Sequence, residues 1–205
     1  MELLDIYDEN LVHIGVKERE AVHREGDWHR TFHCWIVYCD ERGLDFIVLQ
    51  RRGPDKQTYP NLLDVSAAGH YAAGETMADG VREIAEELGI QVYFNDLVPV
   101  GLRYSVYRQD GVVDYEFNDV FLLNDDRPLS AYEPQAAEVS DLVCFRIDDG
   151  LALFDGTCDS IPAESRAAGD ITLRQTDFVD PLDRYTYRVL VLARRFLNGE
   201  SHLVI

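Results

Sequence analysis

Three glutamates, Glu83, Glu86 and Glu87, stand in the run REIAEEL, just after a loop that holds Gly69, Gly74 and Glu75. On a helix turning about 100° per residue, their carboxylates project within about one-third of the circumference. Ile84 and Leu88 share another face with Val81, and that side is expected to bury. The glutamates are therefore expected on an exposed face, where like charges at this spacing repel by a few tenths of a kcal/mol per pair. A hard divalent cation resolves that repulsion, and Mg²⁺ binds through one or two carboxylates together with phosphate oxygens. From Glu86 and Glu87 alone, the solvated face of an acidic helix is the simpler reading. The neighbouring glycines shift the balance, because glycine lets a backbone carbonyl approach a metal or a phosphate closely.

The elements that must position these groups can be read along the chain. Residues 1–25 alternate apolar and polar side chains around Asn10 and suggest a hairpin with a connector. Two strands, 31–38 and 45–51, flank the polar turn DERG. Residues 52–66 form a loop, and residues 77–88 have helical period with Gly89 as the stop. A second strand pair spans 97–107 and 113–123, with a turn at Gln109, Asp110 and Gly111. A strand over 139–147, a short helix over 148–154 and an amphipathic helix over 182–198 follow. Residues 155–180 are rich in turn formers and show no clear element. Strands and helices mix without strict alternation, which predicts one α/β or α+β domain over 1–205 with a mixed β-sheet.

Composition limits the classes of function. The chain has 205 residues and a net charge of −19, which argues against binding a nucleic-acid duplex or an anionic membrane. No apolar run is long enough to span a bilayer, and the acidic start MELLDIYDEN lacks the basic beginning of a signal peptide. Cys34, Cys39, Cys144 and Cys158 form no Cys-x-x-Cys pair and read as free thiols in a reducing compartment, so a cytoplasmic location is expected. Only Lys17 and Lys56 are lysines, so each basic group near an acidic cleft carries weight.

The glutamate-rich segment resembles the signature of the Nudix hydrolase superfamily. That pattern is Gly, five residues, Glu, seven residues, Arg-Glu, an aliphatic, any residue, Glu-Glu, any residue, Gly and an aliphatic. Gly69, Glu75, Arg82, Glu83, Ile84, Glu86, Glu87, Gly89 and Ile90 match it. One departure occurs: six residues rather than seven separate Glu75 from Arg82. The resemblance implies an α/β/α sandwich with a mixed sheet, here with an N-terminal hairpin (1–27) and a C-terminal extension (155–205) ending in a helix. It also implies that Glu83, Glu86, Glu87 and the Gly69 carbonyl bind Mg²⁺ or Mn²⁺, that Glu86 and Glu87 are catalytic, and that Arg82 orients carboxylates.

Beyond this box, WHRTFHCWIV through LQRRGPDKQTYPNLLDVSAAGH resembles the isopentenyl-diphosphate isomerase-like branch. That likeness implies that Arg52 and Lys56 hold a substrate diphosphate. His29 and His70 match isomerase positions at or beside a metal, which makes His70 a substrate- or metal-contacting candidate. The isomerase has a cysteine where this chain has Ala68, and alanine moves no proton, so isomerisation is not expected. Alternation places Asp114, Glu116 and Asn118 on one strand face, and Glu116 is preferred to Asp119 as a catalytic carboxylate. Glu133 and Glu138 stand in reserve as bases. His33 reads as packed, Trp35 as core and Tyr104 as pocket wall.

These observations imply hydrolysis of a small organic diphosphate, nucleoside or isoprenoid. A residual isomerase and a non-catalytic ligand-binding domain are the competing readings. The C-terminal helix fits packing on the sheet or contact in a homodimer.

Overall fold

The computed structural model describes residues 2–56, 58–109, 112–179 and 183–205. An N-terminal hairpin, β1 (Leu3–Tyr7) and β2 (His13–Glu18), leads into helix α1 (Arg19–Glu25). The long strands β3 (Trp28–Cys39) and β4 (Asp45–Arg52) turn at Asp40, whose Oδ1 accepts from the backbone of Arg42 and Leu44, each at 2.9 Å. Short strands β5 (Leu63–Asp64) and β6 (Ala67–His70) precede helix α2 (Arg82–Leu88). Next come β7 (Leu97–Gln109), β8 (Val112–Asn124), β9 (Val139–Arg146) and helix α3 (Ile147–Phe154). The hairpin β10 (Ile161–Ser165) and β11 (Gly169–Leu173) and helix α4 (Tyr185–Leu197) complete the chain.

All the described strands join one mixed sheet, whose main path is ordered β11-β10-β9-β4-β3-β1-β2. Strand β8 runs parallel to β3 along residues 28–37, and β7 pairs with β8. The other edge of β3 is divided among three strands: β1 meets it at Trp28 and His29, β6 at Thr31–Cys34, and β4 at Ile36–Cys39. Apolar residues alternate between two cores. Trp35, Val37, Ile47 and Leu49 face α3 and α4, with Val189 and Leu190 among their neighbours. Phe32, Cys34, Ile36 and Val48 face α2, with Ile84 and Leu88. Helices on both faces of a mixed sheet give the α/β/α sandwich that the resemblance implied.

Four sequence expectations are corrected. The connector before Gly26 is helix α1, seven residues long and too short for its period to show. Residues 155–180 contain the hairpin β10–β11. The turn formers on either side obscure it, although Ile161, Ala163 and Ser165 alternate inward as a strand requires. The helix expected from residue 77 becomes α-helical only at Arg82, because Asp79–Val81 form a 3-10 turn after Thr76 and Asp79 bond to each other. The glutamates of α2 also do not share an exposed face, since Glu83 and Glu87 are buried and only Glu86 is exposed. Strand β6 packs over that side of the helix, which the helical period alone does not reveal. Of the expected turn after β7, Asp110 and Gly111 lie outside the described residues, as does Leu182 at the expected start of the last helix.

Candidate active site

Helix α2 is anchored at both ends. At its C-terminus, the backbone N–H groups of Glu133 and Gln135 donate to the carbonyls of Leu88 and Glu87, each at 2.9 Å, satisfying acceptors that the helix leaves open. Gly89 holds φ of 70°, and a Cβ there would lie 2.8 Å from the Glu133 carbonyl oxygen, so only glycine fits. At the N-terminus Arg82 gathers its surroundings. Its Nε and Nη2 donate to Glu75 at 2.8 and 3.0 Å, and Nη2 also donates to the His70 carbonyl at 2.8 Å. Its Nη1 donates to Glu83 at 2.6 Å and to Glu86 at 3.2 Å. The contraction between Glu75 and Arg82 therefore does not separate this pair. A 3-10 turn rises about 2.0 Å per residue against about 1.5 Å in an α-helix, so three such residues cover the length of four.

Glu83 and Glu87 approach β6 from the α2 side. A Cβ on Gly69 would sit 2.0 Å from the Glu83 carboxyl carbon, so the strand has a glycine where the carboxylate rests against its backbone. Glu87 accepts from the Ala68 backbone at 2.9 Å and from Gln50 Nε2 at 3.2 Å. Burial pushes Glu83 up to about 7 and Glu87 up to about 8, with repulsion from neighbouring glutamates adding to both. Arg82 and the Ala68 N–H oppose those shifts.

A second polar cluster lies on the opposite side of β6. His23 Nε2 stands 3.4 Å from His29 Nε2 and 3.2 Å from His70 Nε2. His29 also faces Asp114 Oδ1 at 3.5 Å, and His29, Asp114 and Glu116 converge closely enough to share one ion. Burial pushes His23 and His29 down to about 4 and lowers His70 well below its usual value, which favours the neutral imidazole. Burial, and repulsion between Asp114 and Glu116, raises Asp114, while burial raises Glu116. Asp114 Oδ1 is buried with no hydrogen-bond partner, an arrangement that a cation would relieve. Neutral imidazoles with carboxylates suit a divalent transition ion, whereas the all-oxygen set on α2 suits Mg²⁺ or Mn²⁺.

Both clusters line one cleft of about 1440 Å³, together with Arg52, Lys56 and Glu138. Neither cation lacks a carboxylate partner. Arg52 donates to Asp64 at 3.0 Å and to the Thr58 carbonyl at 3.0 Å, and Lys56 pairs with Glu138. Glu116 lies in the cleft and accepts from Asn118 Nδ2 at 2.9 Å. Asp119 points elsewhere and pairs with Arg30 at 2.6 Å, and Glu133 is exposed on the loop that caps α2. Tyr104 lines the cleft, and Trp35 is fully buried. Among the described residues no cysteine lines the cleft, and burial raises the Cys34 thiol in the α2 core.

Sequence reasoning missed His23, which reaches the cluster from α1. It also missed the C-terminal contribution. Asp183 accepts from Arg103 at 2.7 and 3.1 Å, Arg103 donates to Asn118 at 2.7 Å, and Tyr185 stands below Arg103 at 4.1 Å. Partners 80 residues apart leave no trace in a local pattern.

No family model matches the chain. It is 40% identical over 163 residues to an uncharacterized Nudix hydrolase of Clostridium acetobutylicum, covering 80% of this chain and 79% of that one. It is 32% identical to an isopentenyl-diphosphate Delta-isomerase of Mycolicibacterium vanbaalenii, over 69% of this chain and 76% of the other. Nudix hydrolase 3 of Arabidopsis thaliana is 38% identical over 60% of this chain, but the match spans only 16% of that longer protein. The DR0079 structure from Deinococcus radiodurans shares the fold with a TM-score of 0.54 at 23% identity, over 76% of this chain and 90% of that one. The chain belongs to the Nudix hydrolase superfamily and is related to its isopentenyl-diphosphate isomerase branch. It is a hydrolase of the Nudix pyrophosphohydrolase type, a class that generally uses divalent metal ions. No described helix is long and apolar enough to cross a membrane.

Proposed function

We propose that the protein hydrolyses a small organic diphosphate, nucleoside or isoprenoid, using Mg²⁺ or Mn²⁺ held by Glu83, Glu86, Glu87 and the Gly69 carbonyl. The observation that carries this reading is the approach of Glu83 to Gly69. Two carboxylates are buried beside a strand that makes room for one of them, and their burial raises both toward neutrality. Such an arrangement works against stability in the metal-free protein and is relieved when a cation binds. When bound there, a divalent ion would neutralise the diphosphate and lower the pKa of a bound water.

The chain's own groups do the rest. Arg52 and Lys56 bind the diphosphate by exchanging Asp64 and Glu138 for phosphate oxygens. His70 lines the substrate side of the same cleft. Glu116, raised by burial and oriented by Asn118, accepts the proton of the attacking water. Ala68 and the absence of a cleft thiol among the described residues disfavour isomerisation. Retention of all three α2 glutamates disfavours a purely ligand-binding role. The buried, unpaired Cys34 and Cys144 support a reducing compartment such as the cytoplasm.

The test is a panel of nucleoside and isoprenoid diphosphates with Mg²⁺ or Mn²⁺, scored for released phosphate or monophosphate and for interconversion of isopentenyl and dimethylallyl diphosphates. Hydrolysis that chelation abolishes and Mn²⁺ restores is expected, and Glu86→Gln with Glu87→Gln should remove it. Full activity in that double variant, or no hydrolysis across the panel, refutes the proposal.

A further inference from the structure

His33, read from the sequence as packed, rests against the Tyr185 ring and is also among the residues that line the cleft. It stands on β3 directly across from Ala68 of β6, the residue whose N–H holds Glu87. Its Nδ1 lies 3.1 Å from the hydroxyl of Tyr185, at the start of α4. The same hydroxyl receives the indole N–H of Trp35 at 3.0 Å. Tyr185 is buried, with Arg103 4.1 Å above its ring.

These contacts fix the tautomer. An indole nitrogen only donates, so the Tyr185 oxygen accepts from Trp35. If the hydroxyl donates to His33 Nδ1, the Trp35 N–H, the Tyr185 hydroxyl and His33 Nδ1 are all satisfied, and the imidazole proton resides on Nε2, facing the cleft. If Nδ1–H donated instead, the buried hydroxyl hydrogen would lack an acceptor among the described residues. A buried unsatisfied donor costs about 1–3 kcal/mol, which disfavours that form by roughly fivefold or more. Burial, with Arg103 and Arg52 nearby, pushes His33 down to about 3, so it remains neutral.

We propose that His33 is a substrate-binding residue, presenting a fixed neutral Nε2–H to a non-bridging oxygen of the substrate's diphosphate, and that Tyr185 is the positioning residue that sets this tautomer. The inference rests on the diphosphate reading of the cleft. It gives the C-terminal extension a role at the site: α4 supplies the hydroxyl that aims a donor from β3. A neutral donor here stabilises an anionic oxygen without offering a cation that nearby carboxylates would capture, as Glu138 captures Lys56.

Two measurements test it. Long-range ¹H–¹⁵N spectra of the metal-free protein should show His33 Nδ1 unprotonated and Nε2 protonated, and Tyr185→Phe should give a mixture. Methylenediphosphonate with Mg²⁺, followed by calorimetry, should bind His33→Leu about tenfold more weakly than wild type, with Mg²⁺ binding alone unchanged. His33→Gln, whose amide can accept from Tyr185 and still donate into the cleft, should bind within about threefold of wild type. Melting temperatures establish that the variants are folded. An Nδ1–H tautomer in the wild type, or wild-type affinity in folded His33→Leu, overturns the inference while leaving the proposed function standing. A wild-type protein that binds Mg²⁺ but not methylenediphosphonate refutes the diphosphate reading and the assigned acceptor together.

Discussion

Replacing Gly69 with alanine probes the contact between β6 and α2. The added Cβ would lie 2.0 Å from the Glu83 carboxyl carbon and 2.2 and 2.3 Å from its oxygens. Real Cβ contacts almost never fall below 3.0 Å, so the carboxylate must retreat by about 1 Å or more. The strand is less able to yield, because Gly69 pairs with Phe32 in the middle of β6. A displacement of that size at a catalytic group can cost about 100-fold in rate, or about 2.7 kcal/mol of transition-state stabilisation. Stability should not fall in parallel. Moving Glu83 outward relieves its burial, and alanine is favoured over glycine within a strand by roughly 0.5–1 kcal/mol. Steady-state kinetics at fixed Mn²⁺, a Mn²⁺ titration and a melting curve should show lost activity, weaker metal binding and an unchanged or raised Tm. Retention of kcat/KM within about threefold and of wild-type Mn²⁺ affinity would show that Glu83 is not used at this position. A collapse in Tm would show that the glycine serves only the fold.

Arg82→Ala removes the group that joins Glu75, Glu83, Glu86 and the His70 carbonyl, and activity should fall about 10- to 100-fold through weaker metal binding, measured by Mn²⁺ titration. Glu116→Gln and Asp119→Asn should differ in kind. The first should lower kcat about 100-fold with little change in Tm, while the second should cost about 2 kcal/mol of stability by weakening the Arg30 pair and leave kcat per folded molecule intact. For pH dependence, His33 is held neutral in the fold down to about 3 but takes a proton near 6.5 when unfolded, so its contribution is lost as pH falls below 6.5. Between pH 7 and pH 5 that loss is about 2 kcal/mol, so thermal melts in EDTA should drop about 4–8 °C less for His33→Gln than for wild type. Glu83 and Glu87, raised by burial, act with the opposite sign, which is why the difference between variant and wild type is the quantity to measure.

What could be read in the sequence was whatever is local. The spacing of Glu83, Glu86 and Glu87 is a helical pattern, and alternation in 113–123 places Asp114, Glu116 and Asn118 on one face without tertiary information. The burial of Glu83 and Glu87 was not legible, because it depends on β6 crossing the helix face that periodicity assigned to solvent. Arg52 and Lys56 were read as cations awaiting an anion, but Asp64 and Glu138 already partner them, and neither pairing leaves a sequence signal. His23 was lost because a seven-residue helix carries one buried apolar residue, Val22, and one point defines no period. The hairpin β10–β11 did leave a trace in Ile161, Ala163 and Ser165, which the surrounding turn formers outweighed.

The position of the site follows from how β3 is paired. Strand β4 accompanies β3 only along Ile36–Cys39, and a buried strand edge beyond that point would leave backbone groups unsatisfied. Strand β6 fills the gap at Thr31–Cys34 and is only four residues long, Ala67 to His70. Those residues therefore serve the sheet and the cleft at once. The Ala68 N–H goes to Glu87, Gly69 makes room for Glu83, the His70 carbonyl receives Arg82, and the His70 ring joins His23 and His29 on the other side. Because the contacts at 68 and 69 use backbone or the absence of a side chain, substitutions there should act mainly through added bulk, whereas those at 70 also remove the ring that meets His23. Position 68 is then the most tolerant of the three, since its contact is an N–H that every residue except proline retains.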